Sequence, residues 1–365
     1  MNFPTHLNLN SGALHLPQYL PDATLGQVRT VDAEATAESG IQAMMMNTFH
    51  LMQKPGASTI KSMGGLHAFS GWKKAIFTDS GGFQAYSLIR QTSKFGSLTD
   101  NGMVFLPENG SRKILLTPEK CIQLQASFGS DVIFCLDDCT HIDDPPSEQE
   151  LSVKRTIDWA QRCRKEFDRL YDEKKKPESE RPKLFGVVQG GNSPDLRKRC
   201  AEALLEIGFD GYGYGGWPLD EGGGLVEDMV ALTRDLIPQN LPLHALGVGH
   251  PPYIARCAAM GYGLFDSAMP TRDARHGRLY RFNGTPNSGE MAASDEWFGY
   301  VYASDKRYIK SSAPVEEGCD CTLCRNYSLG YLRHLHKLND ALFQRLSTQH
   351  NLRFMARLMG SLKAA

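Results

Sequence analysis

The stretch LFGVVQGG at residues 184–191 is a short apolar run that ends in a glutamine and two glycines. Such a run is typical of a buried strand that leads into a loop. It follows the charged segment DEKKKPESERPK at residues 172–183, which we interpret as a solvated surface loop. Before that segment, Ser147 and Glu150 form a capping-box pattern that predicts a helix running to about Tyr171. A helix and a strand therefore alternate in this part of the chain.

Six other short apolar runs end in the same way, each at a polar residue or a glycine. Seven such strand ends, mostly separated by helix-length stretches, favour an α/β fold of the (β/α)8 type, the TIM barrel. A doubly wound open sheet is the alternative, but it would concentrate its functional groups near one switch point. The six runs are residues 43–46, 75–77, 132–136, 212–214, 244–246 and 264–265.

A cysteine-rich array lies near the C-terminal end of the sequence. Cys319, Cys321, Cys324 and His350 form the pattern C-x-C-x2-C-x25-H. Tetrahedral zinc takes four such ligands, and a closed shell leaves no position for a reacting water. Three buried cysteines beside a helix histidine are the alternative, which the tight spacing disfavours. We predict one structural Zn²⁺ in a zinc-binding subdomain of residues 311–365. This subdomain packs on a catalytic barrel, which with its N-terminal extension comprises residues 1–310.

The composition argues against a membrane protein, a secreted protein and a disulfide-rich protein. The chain has 365 residues, of which 41% are hydrophobic, enough for an extensive core. Its formal net charge of -1 gives no global sign of nucleic-acid binding, so any such surface must be a local basic patch. The sequence shows neither a signal-peptide pattern nor an apolar run near 18 residues, so we expect a cytoplasmic protein without a membrane partner. Its nine cysteines do not suggest a disulfide framework.

The strand ends and the cysteine array belong to longer motifs whose order resembles that of the tRNA-guanine transglycosylases. The resemblance runs from NTFHL at residues 47–51 to His350. It implies a zinc-bearing (β/α)8 barrel, a pentosyltransferase that exchanges guanine at the wobble position of the tRNA anticodon loop for a 7-deazaguanine base. The motifs are TDSGGFQ (78–84), LDDCT (136–140), VVQGG (187–191), GYGYGG (211–216), LGVGHP (246–251), FDSAMPTRDARHG (265–277) and CDCTLCRNYSLGYLRHL (319–335).

Two aspartates carry the implied chemistry. Base exchange with retained configuration is similar to the double displacement of retaining glycosidases, in which a carboxylate attacks the anomeric carbon and a second group moves a proton. The resemblance implies that Asp266 is the nucleophile, forming a covalent ribosyl-aspartate, and that Asp79 is the general acid and base. For a lone aspartate, a cap at a strand end is the alternative reading.

A guanine-binding pocket is implied at the neighbouring motifs. Asp137 can accept hydrogen bonds from the purine N1–H and exocyclic amine, while Gln189 and the backbone N–H of Gly216 match donors to the carbonyl oxygen. Gly82 and Gly215 would let a planar ring approach the backbone. For Asp138, an orienting or surface carboxylate is as consistent with the sequence as a contact to the base. The substrate-binding residues expected from the resemblance are Ser80, Gly81, Gly82, Phe83, Asp137, Gln189, Gly216, Trp217, Leu219 and Glu221.

The RNA contacts are expected around two motifs. Arg272 and Arg275 of PTRDARHG match family residues that contact bases flanking the wobble position, since arginine can bind phosphates and base edges. Lys306, Arg307 and Lys310 form a later basic stretch that we interpret as a solvated face. The full set of expected RNA-binding residues is Gly247, Val248, Gly249, His250, Arg272 and Arg275.

The sequence departs from the family pattern beside the pocket. Residues 215–221 read GGWPLDE, where bacterial members have GGLAVGE and eukaryotic members GGLSGGE. A glycine at the position of Leu219 is associated with room for the cyclopentenediol of queuine, so Leu219 favours a smaller substituent, and Cys139 is the bacterial-type residue. Both predict 7-aminomethyl-7-deazaguanine as the incoming base. Pro218 offers no N–H, which predicts an altered peptide switch near Glu221.

Two other functions and an assembly state follow from the resemblance. A related base exchanger acting on DNA would accommodate the pocket changes and the segment LPQYLPDATLGQV at 16–28, which lacks the usual PVGTQATVKG-like pattern. A non-catalytic partner subunit is disfavoured because both aspartates are present. Retention of PTRDAR and the zinc segment favours RNA. A homodimer is implied, with an interface or, alternatively, a subdomain core formed by Tyr327, Leu329, Tyr331, Leu332 and Leu335.

Overall fold

The computed structural model describes residues 3–91, 94–107 and 113–363, with the side chains of residues 90 and 91 left aside. Its strands form one large parallel sheet and three small antiparallel ones. The strands are β1 His6–Leu9, β2 Gly12–His15, β3 Gln18–Pro21, β4 Ala43–Asn47, β5 Ala75–Asp79, β6 Gly96–Thr99, β7 Gly102–Phe105, β8 Ile114–Leu116, β9 Val132–Phe134, β10 Lys183–Val188, β11 Gly211–Tyr214, β12 Leu243–Ala245, β13 Leu264–Ser267, β14 Arg278–Phe282 and β15 Phe298–Tyr302.

Helices connect most of the strands of the parallel sheet. A π-helical turn spans Met52–Gly56, and short 3-10 turns span Glu178–Glu180 and Lys306–Tyr308. The α-helices are α1 Ala33–Glu38, α2 Thr48–Leu51, α3 Ala57–Ser62, α4 Leu66–Ser70, α5 Gly82–Gln91, α6 Pro118–Phe128, α7 Pro146–Glu173, α8 Pro194–Ile207, α9 Glu227–Leu236, α10 Pro251–Met260, α11 Met269–Arg275, α12 Ser288–Ala293, α13 Thr322–Asn326, α14 Leu329–Lys337 and α15 Ala341–Lys363.

The large sheet is an eight-stranded parallel barrel with strand order β3-β13-β12-β11-β10-β9-β5-β4. A parallel bridge between Asp22 and Met45 brings its first and last strands together, supported by the Ala23 N–H donating to the Met45 carbonyl over 2.7 Å. The predicted (β/α)8 architecture is therefore confirmed. Seven strands are those that the sequence pattern predicts, and the eighth, β3, lies in the segment at 16–28 for which no strand was predicted.

Alternation along the strands separates two apolar cores. Met45 and Phe77 point into the barrel and pack with Phe134, Phe185 and Leu264. Their neighbours in sequence, Met44, Met46 and Ile76, point outward and pack in the larger core that includes helix residues. The hairpin of β1 and β2 packs Leu7 and Leu14 against the apolar side chains that point into the barrel.

The helix predicted before the charged loop is present as α7, but the predicted capping box is wrong. The N-cap position is Pro145, and no side chain caps the helix there. Pro146 takes the first helical position, which places Ser147 inside the first turn rather than before it. The following charged segment is exposed over residues 172–180, as predicted.

A third apolar core is formed by residues from the C-terminal part of the chain. It joins Leu323, Leu332 and Leu335 of the helical segment to Leu279 and Val301 of the β14–β15 hairpin. The division of the chain at residue 310 stays a proposal, because this core draws on residues from both sides of it. Over the described ranges, no helix combines the length and apolarity needed to cross a membrane.

Candidate active site

The carboxyl ends of the barrel strands bring the predicted polar residues to one face of the molecule. Asp79 is the last residue of β5, and Asp266 lies near the end of β13. Asp137 and Gln189 follow β9 and β10. Because parallel strands in a barrel all end at the same rim, residues separated by more than 180 positions in sequence share one site.

Asp79 is a carboxyl group held by three donors. Its Oδ2 accepts from Asn47 Nδ2 over 2.8 Å, while its Oδ1 accepts from the backbone N–H groups of Gly81 at 2.9 Å and Thr48 at 3.2 Å. Burial nevertheless raises the pKa of Asp79 to about 7, and the negative charge of Asp266 adds to that rise. A carboxyl with a pKa near neutrality can both give and take a proton, which is what general acid–base catalysis requires.

Steric constraints next to Asp79 require glycine at position 81 and favour it at position 82. Gly81 has φ +76°, and a Cβ there would lie 2.8 Å from the backbone nitrogen of Phe49. A Cβ on Gly82 would lie 3.1 Å from the carbonyl oxygen of Asp137. The backbone of this turn can therefore approach Phe49 because Gly81 lacks a side chain, and a Cβ on Gly82 would crowd the end of the next strand.

Asp266 has a different environment, because the two hydrogen bonds that it accepts from the described residues converge on one oxygen. His244 Nε2 lies 2.9 Å from Oδ1, and the backbone N–H of Gly247 donates to the same oxygen over 3.0 Å. The side chain of Asp266 is 20% exposed, so it is accessible from the rim. This places Gly247, expected to bind RNA, in direct contact with Asp266.

Asp137 and Gln189 form a second polar pair. Gln189 Nε2 donates to Asp137 Oδ2 over 2.7 Å, and Ser80 Oγ donates to Oδ1 over 3.4 Å. Burial raises the pKa of Asp137 to about 6. Gln189 Oε1 is buried and, in the described part of the chain, has no hydrogen-bond partner. A Cβ on Gly215 would lie 2.7 Å from Gln189 Nε2, so only glycine leaves room beside this amide.

The carboxylate of Asp138 is buried and paired with an arginine rather than exposed to the site. It is 3% exposed, and its Oδ2 lies 3.2 Å from Arg155 Nη1 of α7. Its backbone is tied to the same helix, because its N–H donates to Thr156 Oγ1 over 3.1 Å. Asp138 therefore links the strand end to α7.

Two exposed aromatic rings stand beside the polar groups. Phe83 is 41% exposed and Trp217 is 39% exposed, and their ring centroids are 5.6 Å apart. His141 lies at the same centroid distance, 5.6 Å, from Trp217. The rings offer a flat apolar surface, which suits stacking against a planar base.

The hairpin after Trp217 holds the two remaining residues of the predicted pocket. Leu219 is half-buried against the main core and pairs with Leu225 through an isolated antiparallel bridge. The Pro218 carbonyl accepts from the Val226 N–H over 3.1 Å, which closes the hairpin. Glu221 is exposed at its tip.

Three of the other residues expected to bind RNA follow β12 in sequence. Val248 is buried, and a Cβ on Gly249 would overlap the side chain of Ser267, so both are packing positions. His250 is half-buried, with Nε2 3.2 Å from the Tyr300 hydroxyl, and burial lowers its pKa.

Arg272 and Arg275 lie on α11, directly after β13. Arg272 is exposed and Arg275 is half-buried, and burial lowers the pKa of Arg275. Over the residues that the structure describes, neither forms an ion pair with a carboxylate. Their guanidinium groups therefore remain available to an anionic ligand.

The cysteine array forms a compact cluster of four ligand atoms, all within 4.8 Å of one another. His350 Nδ1 lies 3.4 Å from Sγ of Cys321 and of Cys324, and 3.8 Å from Sγ of Cys319. A tetrahedron around zinc, with bonds of about 2.1–2.3 Å, has edges of roughly 3.5–3.8 Å. His350 Nε2 lies 2.7 Å from the Tyr280 carbonyl oxygen, so Nε2 carries the hydrogen and Nδ1 is free to bind a metal. The cluster fits a tetrahedral metal ion.

Comparison with known proteins agrees with this arrangement. Residues 5–365 match the family model described as Queuine tRNA-ribosyltransferase. The chain belongs to the queuine tRNA-ribosyltransferase family. The family resemblance predicted from the motifs is therefore confirmed, and with it the assignment to a family of pentosyltransferases.

Several curated relatives carry the same name, Queuine tRNA-ribosyltransferase. The protein of Aliivibrio salmonicida is 37% identical over 98% of this chain and 88% of its own length. Those of Actinobacillus pleuropneumoniae and Bacillus licheniformis are 36% and 35% identical, over 96% and 97% of this chain and 84% and 86% of their own lengths. The similarity to the queuine tRNA-ribosyltransferases thus extends across the barrel and the cysteine cluster.

Sequence reasoning missed three side chains of the site in this family member. Asn47 and His244 each contact a catalytic candidate, and the only signal for them was their position at or near a strand end. Arg197 of α8 is 1% exposed and donates to the carbonyl oxygens of Gly191 at 2.8 Å and Gly215 at 3.2 Å. Nothing in the sequence around Arg197 marks it as part of the site.

Proposed function

We propose that this chain is a tRNA-guanine transglycosylase, which replaces the wobble guanine of a tRNA anticodon loop with a 7-deazaguanine base. The observation that carries the proposal is the contrast between its two rim aspartates. Asp79 has donors on both carboxylate oxygens and a pKa raised to about 7, whereas the hydrogen bonds that Asp266 accepts from the described residues all fall on Oδ1. One carboxyl group is suited to proton transfer and the other to attack on a sugar carbon.

In the proposed first step, a carboxylate oxygen of Asp266 attacks C1′ of the ribose. The bond from C1′ to the base nitrogen breaks, its electron pair leaves with guanine, and guanine takes a proton from Asp79. In the second step Asp79 removes a proton from the incoming base, whose nitrogen attacks C1′ and releases Asp266. Two inversions leave the configuration at C1′ unchanged, and the phosphodiester backbone stays intact.

Base recognition is assigned to the pair formed by Asp137 and Gln189. With a pKa of about 6, Asp137 is mostly ionised at neutral pH and accepts hydrogen bonds from the purine N1–H and exocyclic amine. The second hydrogen of the Gln189 amide and the N–H of Gly216 are the proposed donors to the carbonyl oxygen. A base without the matching groups would leave these buried polar atoms unpaired, which costs about 1–3 kcal/mol for each.

We assign 7-aminomethyl-7-deazaguanine as the incoming base. Leu219 reduces the space beside the pocket loop relative to a glycine, and the loop is fixed by the Pro218–Val226 hydrogen bond. Phe83 and Trp217 supply the stacking surface. Arg272 and Arg275 are the proposed contacts to the RNA that flanks the exchanged base.

The cysteine cluster is proposed to hold one Zn²⁺ through Cys319, Cys321, Cys324 and His350. With four protein ligands, the ion would have a closed shell and stabilise the fold rather than bind a reacting group. The chain's own residues link the cluster to the barrel, because His350 lies on α15 and its ring contacts Tyr280 of β14.

The experiment that tests the function is uptake of radiolabelled guanine into unmodified tRNA or into duplex DNA. We expect label in tRNA only; label in DNA would support the related DNA exchanger, and label in neither would indicate a non-catalytic subunit. Incubation of the wild type with tRNA and no free base should also yield a denaturation-resistant protein–RNA adduct. Asp266→Asn should give no adduct, because an amide does not attack the ribose.

A further inference from the structure

Among the described residues, the donors to the Asp266 carboxylate contact one of its two oxygens. Both of its donors, His244 Nε2 at 2.9 Å and the Gly247 N–H at 3.0 Å, contact Oδ1. Within the described ranges, Oδ2 has no hydrogen-bond partner. Since a carboxylate oxygen accepts, and Oδ1 already accepts from Gly247, the hydrogen of the imidazole lies on Nε2.

Packing inside the barrel fixes the ring of His244. The side chain is fully buried, and its ring stands edge-on to Phe77 and Phe134, with centroid distances of 6.3 and 5.6 Å. The other ring nitrogen, Nδ1, is buried and has no hydrogen-bond partner among the described residues. A buried polar atom left unpaired destabilises the folded protein, so an apolar side chain would suit this position better for stability alone. In the described part of the chain, Asp266 is the one hydrogen-bond partner of the His244 side chain.

We propose that His244 is a positioning residue for Asp266, and that it determines which oxygen reacts: Oδ1 is held, and Oδ2 attacks the ribose. This inference rests on the proposed double displacement. A lone pair of Oδ2 forms the bond to C1′ as the bond from C1′ to the base nitrogen breaks. The electron pair leaves with the base, which takes its proton from Asp79, and Oδ1 becomes the carbonyl oxygen of the ester.

The two donors on Oδ1 also affect the second step. Hydrogen bonds to a carboxylate are stronger than those to a neutral ester, so they favour the state in which Asp266 is released. His244 therefore orients the nucleophile for the first displacement and makes it a better leaving group in the second. Removal of the donor should slow breakdown of the covalent intermediate.

The test compares His244→Phe, which keeps an aromatic ring but lacks the donor, with His244→Gln, which keeps an N–H donor. We expect His244→Phe to lower kcat roughly 10- to 100-fold with little change in the KM for guanine or tRNA. At steady state, a larger fraction of that variant than of wild type should be present as the covalent adduct. His244→Gln should recover most of the lost kcat. Equal losses in both variants, or wild-type kcat in His244→Phe, would overturn the proposal.

Two further measurements separate this inference from the proposed function and from a folding defect. Asp266→Asn is assayed in parallel. If Asp266→Asn is active, the double displacement itself is refuted. If Asp266→Asn is inactive while His244→Phe has wild-type kcat, only the positioning role of His244 is refuted. A crystal structure of the trapped wild-type adduct needs no variant at His244. It should show the ester on Oδ2 with Oδ1 still 2.9 Å from His244, as in the free protein; an ester on Oδ1 would contradict the proposal.

Discussion

Asn47 and Asp79 are register partners at the ends of β4 and β5, and Asn47 Nδ2 donates to Asp79 Oδ2 over 2.8 Å. The pairing of two neighbouring strands thus sets the position of the carboxyl group that we assign to proton transfer. Because the amide hydrogen bond stabilises the ionised form while burial destabilises it, the strand register contributes directly to the proton affinity of the site.

Asp79→Asn should reduce base exchange about 100- to 10,000-fold, as expected for loss of a general acid and base. The wild-type rate should depend on a group that titrates near the Asp79 pKa of about 7, and this dependence should be absent from the residual activity of the variant. The measurement is the rate of labelled-guanine exchange between pH 5.5 and 8.5, roughly the span over which such a group changes its charge. Wild-type turnover by Asp79→Asn would exclude Asp79 from the mechanism.

The same titration predicts a stability difference. The folded-state pKa of Asp79 is raised, so wild type loses stability as pH rises through about 7, where burial of the ionised carboxylate opposes folding. Asp79→Asn has no such charge, and its free energy of unfolding should rise relative to wild type from about pH 4, the ordinary carboxyl pKa, to about pH 7 and level off above it. Denaturant titrations at several pH values measure it.

Asn47→Leu should shift the pH dependence of the rate upward. Removal of the Nδ2–H donor takes a hydrogen bond away from the ionised carboxylate and raises the pKa of Asp79 further. The control is Gln53→Leu, which removes an amide from the same region. Gln53 is half-buried, and its amide donates to the Phe49 carbonyl. A profile for Asn47→Leu that superimposes on wild type would contradict the role of this hydrogen bond.

Cys321→Ala and His350→Ala should lose the bound metal and destabilise the C-terminal segment, because metal binding and folding are coupled in a closed four-ligand site. Metal analysis should find one zinc per wild-type chain and less than half of that in either variant, by the same coupling of affinity to ligand number. Cys257→Ala is the control, since Cys257 is buried in α10 outside the cluster. Full zinc content in both ligand variants would refute the ligand assignment.

The incoming base should be selected by size. Overpacking against Leu219 should weaken queuine binding by about 1–3 kcal/mol, or roughly fivefold to 150-fold. Labelled guanine in tRNA should therefore be displaced by 7-aminomethyl-7-deazaguanine well before queuine, and Leu219→Gly should narrow the gap. A wild-type preference for queuine would mean that the bridge to Leu225 holds Leu219 outside the base site.

The expected homodimer can be tested on the surface of α14. Leu329, Leu332 and Leu335 are buried in the third core, whereas Tyr331 is 40% exposed and stacks on Tyr327 with a centroid distance of 5.3 Å. If this face is the interface, Tyr331→Asp should convert a dimer to a monomer in light scattering at micromolar concentration. Leu338→Asp, at the end of the same helix and 61% exposed, is the matched control. A wild-type monomer with and without tRNA would contradict the dimer.

The sequence by itself determined the features that depend on local pattern. Short apolar runs with polar ends marked seven barrel strands, and cysteine and histidine spacing marked the four residues of the cluster that could hold a metal. The family resemblance of the motifs indicated Asp79 and Asp266 as catalytic candidates. The sequence pattern failed at β3, Gln18–Pro21, because a proline directly before the strand and another at its last position hide a strand whose four residues are all buried. It also failed at the start of α7, where Pro146 rather than the Ser147 pattern begins the helix.

Only the tertiary structure decided which side chains act on the two aspartates. Asn47 reaches Asp79 through the register of β4 with β5, His244 reaches Asp266 across 22 positions of sequence, and Arg197 ties the ends of two loops from inside α8. None of these contacts has a local signature, since each depends on how the strands align and on the closing of the barrel. Catalytic candidates can be predicted from their motifs, but the proton affinity and orientation of these side chains arise from burial and strand register, which exist only in the folded chain.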